Sequence, residues 1–221
     1  MVRDAYYYAF FLLGAALLIG WLAGPAWATP AWLLALLCLW FFRDPERVVT
    51  DAWGAVVSPA DGRVTDVSPS TREGSPVTRV SIFLSIFDVH VNRSPVAGVI
   101  RDVKYQKGKY LNAMNAASAG ENEQNVVTVE SDGGQTVVFK QIAGLIARRI
   151  VFTKRVGDRV ERGERVGLIK FGSRVDILLD RSVDVKIRTG DRIKGGSSVL
   201  GYYRQGTAAT RDSLNKEHVH G

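Results

Sequence analysis

Three residues of this 221-residue chain could act together on a covalent bond: Ser173, His90 and Asp61. Ser173 follows Gly172 in the run Phe171-Gly172-Ser173-Arg174-Val175-Asp176. A serine hydroxyl that attacks the carbonyl of its own preceding glycine turns the peptide into an ester. Elimination from that ester breaks the chain after Gly172 and leaves a pyruvoyl group where Ser173 stood, a cofactor made from the chain itself. Glycine suits the step, because the bond must leave planarity and a residue without Cβ crowds the attacking oxygen least. Gly74-Ser75 and Gly196-Ser197 also occur. An ordinary Gly-Ser pair is a turn, so the partners of Gly172-Ser173 must decide its meaning.

Histidine is scarce, which narrows the search for a base. Of the three, His218 and His220 lie in a tail with few apolar residues, leaving His90 in the body of the chain. His90 stands in Ser85-Ile86-Phe87-Asp88-Val89-His90-Val91-Asn92-Arg93-Ser94-Pro95, where an apolar strand runs into polar residues and a proline. Asp61 belongs to Ser58-Pro59-Ala60-Asp61-Gly62-Arg63-Val64, a tight turn leading into a strand. Base-assisted serine chemistry needs a nucleophile, an acceptor for its proton and a group that orients or charge-balances the acceptor. Ser173, His90 and Asp61 could fill these roles in that order.

The elements that must position them fall into two parts. No charged residue occurs between Asp4 and Arg43, and Gly24-Pro25 splits this stretch into an arm over 5–23 and a second from about 27 to 42. The first is long enough to span a bilayer and the second is short. Residues 1–43 therefore read as a membrane-anchoring helical hairpin, and both a two-pass span and a shallow insertion fit. Arg3 before the first arm, with Arg43 and Arg47 after the second, places both ends on the cytoplasmic side of the cell membrane. Tyr6, Tyr7, Tyr8, Trp21, Trp27, Trp32 and Trp40 crowd the arm ends, where amphipathic rings favour the lipid interface. A cleaved signal peptide would have a shorter apolar region and no second arm.

From Asp44-Pro45 the pattern changes to short β-branched runs bounded by Gly, Pro, Asp and Ser. Residues 44–205 are expected to form a mainly β catalytic domain, and 206–221 a flexible tail. Strands are expected at 56–57, 62–67, 78–87, 98–105, 125–130, 136–142, 166–169, 175–179 and 185–187. A short helix or a bent strand fits 142–150. The segments Val156-Gly157-Asp158-Arg159-Val160 and Thr189-Gly190-Asp191-Arg192-Ile193 echo each other. Such Gly-Asp hairpins resemble those of barrel-sandwich domains, although Gly-Asp also makes ordinary β-turns. Residues 107–124 read as a long irregular loop of the kind that covers a site.

The formal net charge of +7 points to an anionic partner. With an anchor present, lipid headgroups fit better than nucleic acid, for which no recognition motif appears. Cys38 is the single cysteine and lies within an apolar arm. That excludes an intramolecular disulfide and a cysteine-based metal site, and no metal is expected.

Taken in order after an apolar hairpin, Ser58-Pro59-Ala60-Asp61-Gly62, Phe87-Asp88-Val89-His90-Val91-Asn92-Arg93-Ser94-Pro95 and Lys170-Phe171-Gly172-Ser173-Arg174-Val175-Asp176 resemble the short form of phosphatidylserine decarboxylase. The resemblance covers nearly the whole chain, to about Tyr203. It implies a proenzyme that cuts itself into a β chain ending at Gly172 and an α chain beginning with a pyruvoyl group from Ser173. It further implies loss of CO2 from the serine headgroup of a membrane phospholipid, with the ketone as electron sink. On this reading His90 protonates the resulting carbanion equivalent with a pKa near neutrality, and Arg93 holds the lipid phosphate. A homodimer is also compatible with the exposed β edges expected of such a domain. Two departures stand out. Longer members carry Leu-Gly-Ser-Thr at the cut and a second histidine three residues after the first, whereas Phe171 and Arg174 flank the pair here and Arg93 stands at the second position. His90 could then serve both maturation and turnover, or Asp61 could act in maturation without an imidazole partner.

Two readings without catalysis compete. A membrane-tethered barrel-sandwich adaptor would share the anchor and hairpins but normally contains a long helical insertion, which the sequence lacks. A lipoyl or biotinyl carrier needs a lysine in a Met-Lys-Met-like setting, which Lys170 does not have.

Overall fold

The computed structural model describes residues 3–115, 117–145, 149–170 and 172–204. Two helices come first: α1 (Arg3–Ala23) and α2 (Pro25–Phe41). Gly24 separates them in a left-handed conformation, φ 98°, and Pro25 starts α2 with its ring at a position that needs no N–H donor. The helices meet through small side chains. Ala5, Ala9, Ala16, Ala28 and Ala35 are buried, while Phe10, Phe11, Leu17 and Leu33 point outward. Small residues let two apolar helices approach closely where burial in lipid gives no driving force for pairing. The stretch Ala5–Ala23 is long and apolar enough to cross a membrane, and α2 falls short of that length.

The remainder of the described residues is β structure with a single short helix. In chain order the elements are β1 (Ala55–Val57), β2 (Gly62–Arg72), β3 (Ser75–Leu84), β4 (Val91–Arg93), β5 (Gly98–Gln106), α3 (Ser118–Glu121), β6 (Gln124–Ser131), β7 (Thr136–Ile142), β8 (Ile150–Phe152), β9 (Arg159–Val160), β10 (Arg165–Ile169), β11 (Ser173–Asp180), β12 (Val183–Val185), β13 (Arg192–Ile193) and β14 (Val199–Tyr203). An eight-stranded antiparallel sheet runs β13-β2-β3-β11-β7-β6-β5-β9, and two three-stranded sheets run β1-β14-β12 and β4-β10-β8. Bulges between Val64 and Asp66 and between Ile100 and Asp102 help curl the large sheet. Val80, Ile82 and Leu84 of β3, Phe139 of β7 and Val175, Ile177 and Leu179 of β11 fill the core it encloses.

The echo of the Gly-Asp turns has a structural basis. Gly157 N–H and Ile100 N–H exchange bonds with Ile100 and Asp158 carbonyls, and Gly190 N–H and Val64 N–H do the same with Val64 and Asp191 carbonyls. The repeat extends to a feature not noticed in the sequence, Ser58-Pro59 against Ser94-Pro95. Val57 N–H donates to the Pro95 carbonyl and Arg93 N–H donates to the Pro59 carbonyl, both at 2.9 Å. Ser58 Oγ and Ser94 Oγ each close their own turn, onto the carbonyls of Ala60 and Val96. Two equivalent corners thus clasp one another at the centre of the domain, and Asp61 and His90 lie on segments that leave this clasp.

Several elements differ from the sequence expectation. The strand expected to reach residue 87 stops at Leu84, because the Asp88 carboxylate accepts from Ser85 N–H and Ser85 Oγ at 2.8 and 2.7 Å and draws the chain into a turn. No helix occupies the described part of 142–150; Ile142 ends β7 and Ile150 begins β8, with 146–148 outside the described residues. Short strands β4, β8, β9 and β13 carry too few residues to show a period of two. The tail with His218 and His220 lies outside the described residues.

Candidate active site

Ser173 is the first residue of β11, and the pleat decides where it points. Successive side chains alternate faces, so Ser173 shares the core-facing side with Val175, Ile177 and Leu179, all of which are 0% exposed. Arg174 and Asp176 take the other face. They form a forked pair there, Nε–Oδ1 at 2.6 Å and Nη2–Oδ2 at 3.1 Å, with Ser81 Oγ accepting from Nη2. Ser173 Oγ, by contrast, is buried and has no hydrogen-bond partner among the described residues. Leaving a buried hydroxyl unpaired costs about 1–3 kcal/mol. Such a group marks a place where stability has been given up for function or a transient partner is expected.

Gly172 precedes it in a left-handed conformation, φ 58°. Its N–H donates to His90 Nε2 at 3.2 Å. The other ring nitrogen, Nδ1, lies 2.9 Å from the Asp88 carbonyl, which can only accept. Nδ1 therefore carries the proton and Nε2 turns its lone pair to the Gly172 N–H, one peptide ahead of the Gly172–Ser173 bond. Phe41 of α2 packs on the imidazole with ring centroids 4.3 Å apart. Burial in this setting lowers the His90 pKa to about 4, against the smaller opposing pull of Asp88. The near-neutral value expected from sequence gives way to desolvation, and His90 is a neutral base at pH 7.

Asp61 is held elsewhere. Its carboxylate accepts from Arg47 Nη2 at 2.7 Å and from Gly195 N–H at 2.8 Å, and burial raises its pKa against both of those partners. No hydrogen bond joins Asp61 to His90 or Ser173 among the described residues. Asp88 is the charge that both Asp61 and His90 feel. The structure thus brings His90 and Gly172-Ser173 together, and the group orienting His90 is a main-chain carbonyl.

Arg93 is also occupied away from any opening. It is 5% exposed and donates to the Asp44 carboxylate and the carbonyls of Pro45 and Gly163, at 3.0–3.1 Å. The expected grip on a lipid phosphate is not what this geometry offers. The guanidinium is used to fasten the linker that leaves α2.

Sequence reasoning missed Gly144. A Cβ on this residue would lie 2.2 Å from the Gly172 carbonyl oxygen, so the oxygen of the bond to be cut is lodged against bare backbone. Described residues of the 107–124 segment reach the same spot; the segment contains α3 and a Lys109–Asn122 bridge, so it is not the wholly irregular loop expected. Asn122 donates to the carbonyls of Leu111 and Ala143, and Asn112 and Ala113 line a pocket of about 320 Å³ with Phe83, Ser85, Ile86, Leu145 and Gly172. Also missed was a buried ladder in which Asn125 donates to Gln141 Oε1 and Gln141 donates to Asn92 Oδ1, at 3.0 and 2.8 Å. Both features join segments far apart in sequence, and only the folded arrangement reveals them.

The arrangement suits an intramolecular acyl shift. A hydroxyl with no competing bond adjoins the glycyl carbonyl, and a neutral base rests on that glycine's N–H. Ser173 thus meets the requirement for a residue converted into a pyruvoyl group. Among the described residues, no group of three or more His, Cys, Asp or Glu side chains could hold a metal ion.

Comparison with known proteins points to the same chemistry. The family model described as phosphatidylserine decarboxylase matches residues 34–201. A phosphatidylserine decarboxylase proenzyme of Solibacter usitatus (strain Ellin6076) is 54% identical over 200 residues, covering 90% of this chain and 95% of the relative. Proenzymes of the same name from Novosphingobium aromaticivorans and Nitrosomonas europaea are 48% and 46% identical, covering 85% and 86% of this chain and 79% and 90% of the relatives.

Proposed function

The chain belongs to the phosphatidylserine decarboxylase family, and on that premise we propose how its own residues carry maturation and turnover. It is a pyruvoyl-dependent phosphatidylserine decarboxylase made as a proenzyme, which releases CO2 and phosphatidylethanolamine. Ser173 is the nucleophile of self-cleavage. Its Oγ bonds to the Gly172 carbonyl carbon, the Gly172–Ser173 C–N bond breaks, and the serine nitrogen takes up a proton. Loss of the Ser173 α-proton then expels the Gly172 carboxylate from Cβ, and hydrolysis of the remaining enamine releases ammonia. The products are a β chain ending at Gly172 and an α chain beginning at position 173.

His90 is the base in this reading, because its Nε2 lone pair rests on the N–H of Gly172, the residue whose carbonyl is attacked. That contact carries the assignment. Formed at position 173, the pyruvoyl group would supply a ketone able to act as the electron sink for decarboxylation. His90 remains beside position 173, where as a neutral base it would take the proton that the substrate ammonium sheds on condensing and return it at the carbon that lost CO2. A depressed pKa makes the imidazolium a strong acid once formed, which favours rapid donation. Asp61, fixed by Arg47 and Gly195, sets the charge around Asp88, and we assign it a positioning role.

The anchor keeps the site at the surface that holds its substrate. With Arg43 and Arg47 following the hairpin, the catalytic domain lies on the cytoplasmic side. The test is intact mass of the purified protein. Wild type gives two fragments split between Gly172 and Ser173, the smaller blocked to Edman degradation. Ser173→Ala gives one uncut chain and no CO2 from phosphatidylserine. Activity from an uncut Ser173→Ala protein would remove Ser173 as the precursor of the cofactor.

A further inference from the structure

Away from the active site, a cavity of about 390 Å³ opens between residues 51–55, the β6–β7 turn and Tyr203 of β14. It shares no lining residue with the pocket that contains Gly172. Two buried polar atoms of its lining residues, Tyr203 Oη and Arg162 Nε, have no hydrogen-bond partner among the described residues. Tyr203 is 9% exposed, and burial pushes the pKa of its hydroxyl up to about 12, so it remains an O–H donor at neutral pH. The Ser131 hydroxyl pulls the other way but is committed to Gln135, donating to Oε1 at 2.7 Å and accepting from the backbone N–H at 3.1 Å. Arg162 uses Nη1 on the carbonyls of Thr50 and Ala52, at 2.9 and 2.8 Å, and forms no ion pair among the described residues. Two unpaired buried donors in one cavity are destabilising as they stand, and they mark a place where a transient partner is expected.

The other charges on the wall decide what kind of partner fits. Asp132 is paired with Arg159 at 2.8 Å, whereas Asp51 is exposed and has no ion pair among the described residues. The wall therefore offers one uncommitted guanidinium edge and one uncommitted carboxylate. A simple anion would meet Asp51 and a simple cation would meet Arg162, so a zwitterion satisfies both. Trp53, 61% exposed on the same wall, adds a ring face that attracts an ammonium group. Ala55, Val96 and Ala97 leave room for a short carbon chain, and the cavity falls in the size range of ligand pockets, about 300–1,000 Å³. Resting on the decarboxylase reading for the choice of oxyanion, we propose that this cavity binds an aminoalkyl phosphate, with its phosphate on Arg162 Nε and Tyr203 Oη and its ammonium between Asp51 and Trp53. A phosphate offers several acceptor oxygens to donors that arrive from two separate elements. The headgroup of the reaction product carries this charge pair, as do soluble phosphoethanolamine compounds.

The test titrates full-length, self-cleaved enzyme by calorimetry with sn-glycero-3-phosphoethanolamine, with glycerol 3-phosphate and with dihexanoyl phosphatidylethanolamine below its micelle concentration. Wild type binds the phosphoethanolamine compound at least tenfold more tightly than glycerol 3-phosphate. Tyr203→Phe, which removes only the unpaired oxygen, weakens that binding at least fivefold, and Asp51→Asn, on the surface, abolishes the tenfold preference. An equal weakening for the dihexanoyl lipid in Tyr203→Phe identifies the ligand as a lipid headgroup, and a weakening confined to the soluble compound identifies a free metabolite. Affinities unchanged in both variants overturn the site. Release of CO2 from phosphatidylserine, assayed on the same wild-type preparation, reports separately on the decarboxylase reading: its absence defeats that reading, and unchanged affinities beside normal release defeat only the site.

Discussion

At the scale of single residues, the cleavage site combines an unpaired hydroxyl, a left-handed glycine and a neutral imidazole. Because burial lowers the His90 pKa from 6.5 to about 4, the unfolded chain binds a proton there more readily than the folded one. Stability from this group is complete above pH 6.5 and falls as pH drops toward 4. At pH 5 the loss amounts to about 2 kcal/mol. In the uncut Ser173→Ala background, the drop in stability between pH 7.5 and 5.0 is therefore larger with His90 than with His90→Gln, measured by urea titration. Equal drops would show that the imidazole is solvated. Gly144 makes a second residue-level prediction. Its φ is not positive, and the main obstacle to a side chain is the Gly172 carbonyl, with Ala113 Cβ next at 3.3 Å. Gly144→Ala slows self-cleavage at least tenfold, read on denaturing gels, because the carbonyl must move from its place beside Ser173. The variant also stays insensitive to hydroxylamine, since the ester does not accumulate.

Among the elements, the linker after α2 is where the hairpin is coupled to the catalytic domain. Asp44 receives both Arg93 Nη2 and Arg165 Nε, and Arg165 also reaches Glu46. Phe41 and Phe42 pack with Leu168 of β10 just before it. Removing Arg93 leaves Asp44 with one cation and frees the carbonyls of Pro45 and Gly163. Arg93→Met is expected to destabilise the uncut protein by about 2–3 kcal/mol, seen in its urea midpoint. Lowered affinity for lipid with unchanged stability would instead return Arg93 to the phosphate. The same paired geometry explains what was legible in this part of the chain. The Gly-Asp echo was visible because turn chemistry is local. The clasp of Ser58-Pro59 on Ser94-Pro95 was not, because its bonds run between segments far apart in sequence.

For the whole molecule, membrane association is expected to rest on apolar area, with charge adding to it. The hairpin exposes Phe10, Phe11, Trp21, Leu22, Trp27 and Leu33 outward, while the net charge of +7 acts only within a Debye length of the surface. The protein therefore stays with vesicles of phosphatidylcholine and phosphatidylglycerol in 1 M NaCl, as sedimentation would show. Release by salt would mean that the hairpin does not insert. The sequence by itself determined the apolar N-terminal helix, the mainly β class and the Gly172-Ser173 bond, since apolar length, residue period and a reactive dipeptide are all local properties. It also singled out His90, through the scarcity of histidine. Only the tertiary structure decided that His90 rests on Gly172, that Asp61 pairs with Arg47 instead, and that Arg93 is spent on the linker. Contacts between distant segments depend on register and on how the sheet closes, and burial then sets which charges survive. Those quantities exist only once the chain is folded.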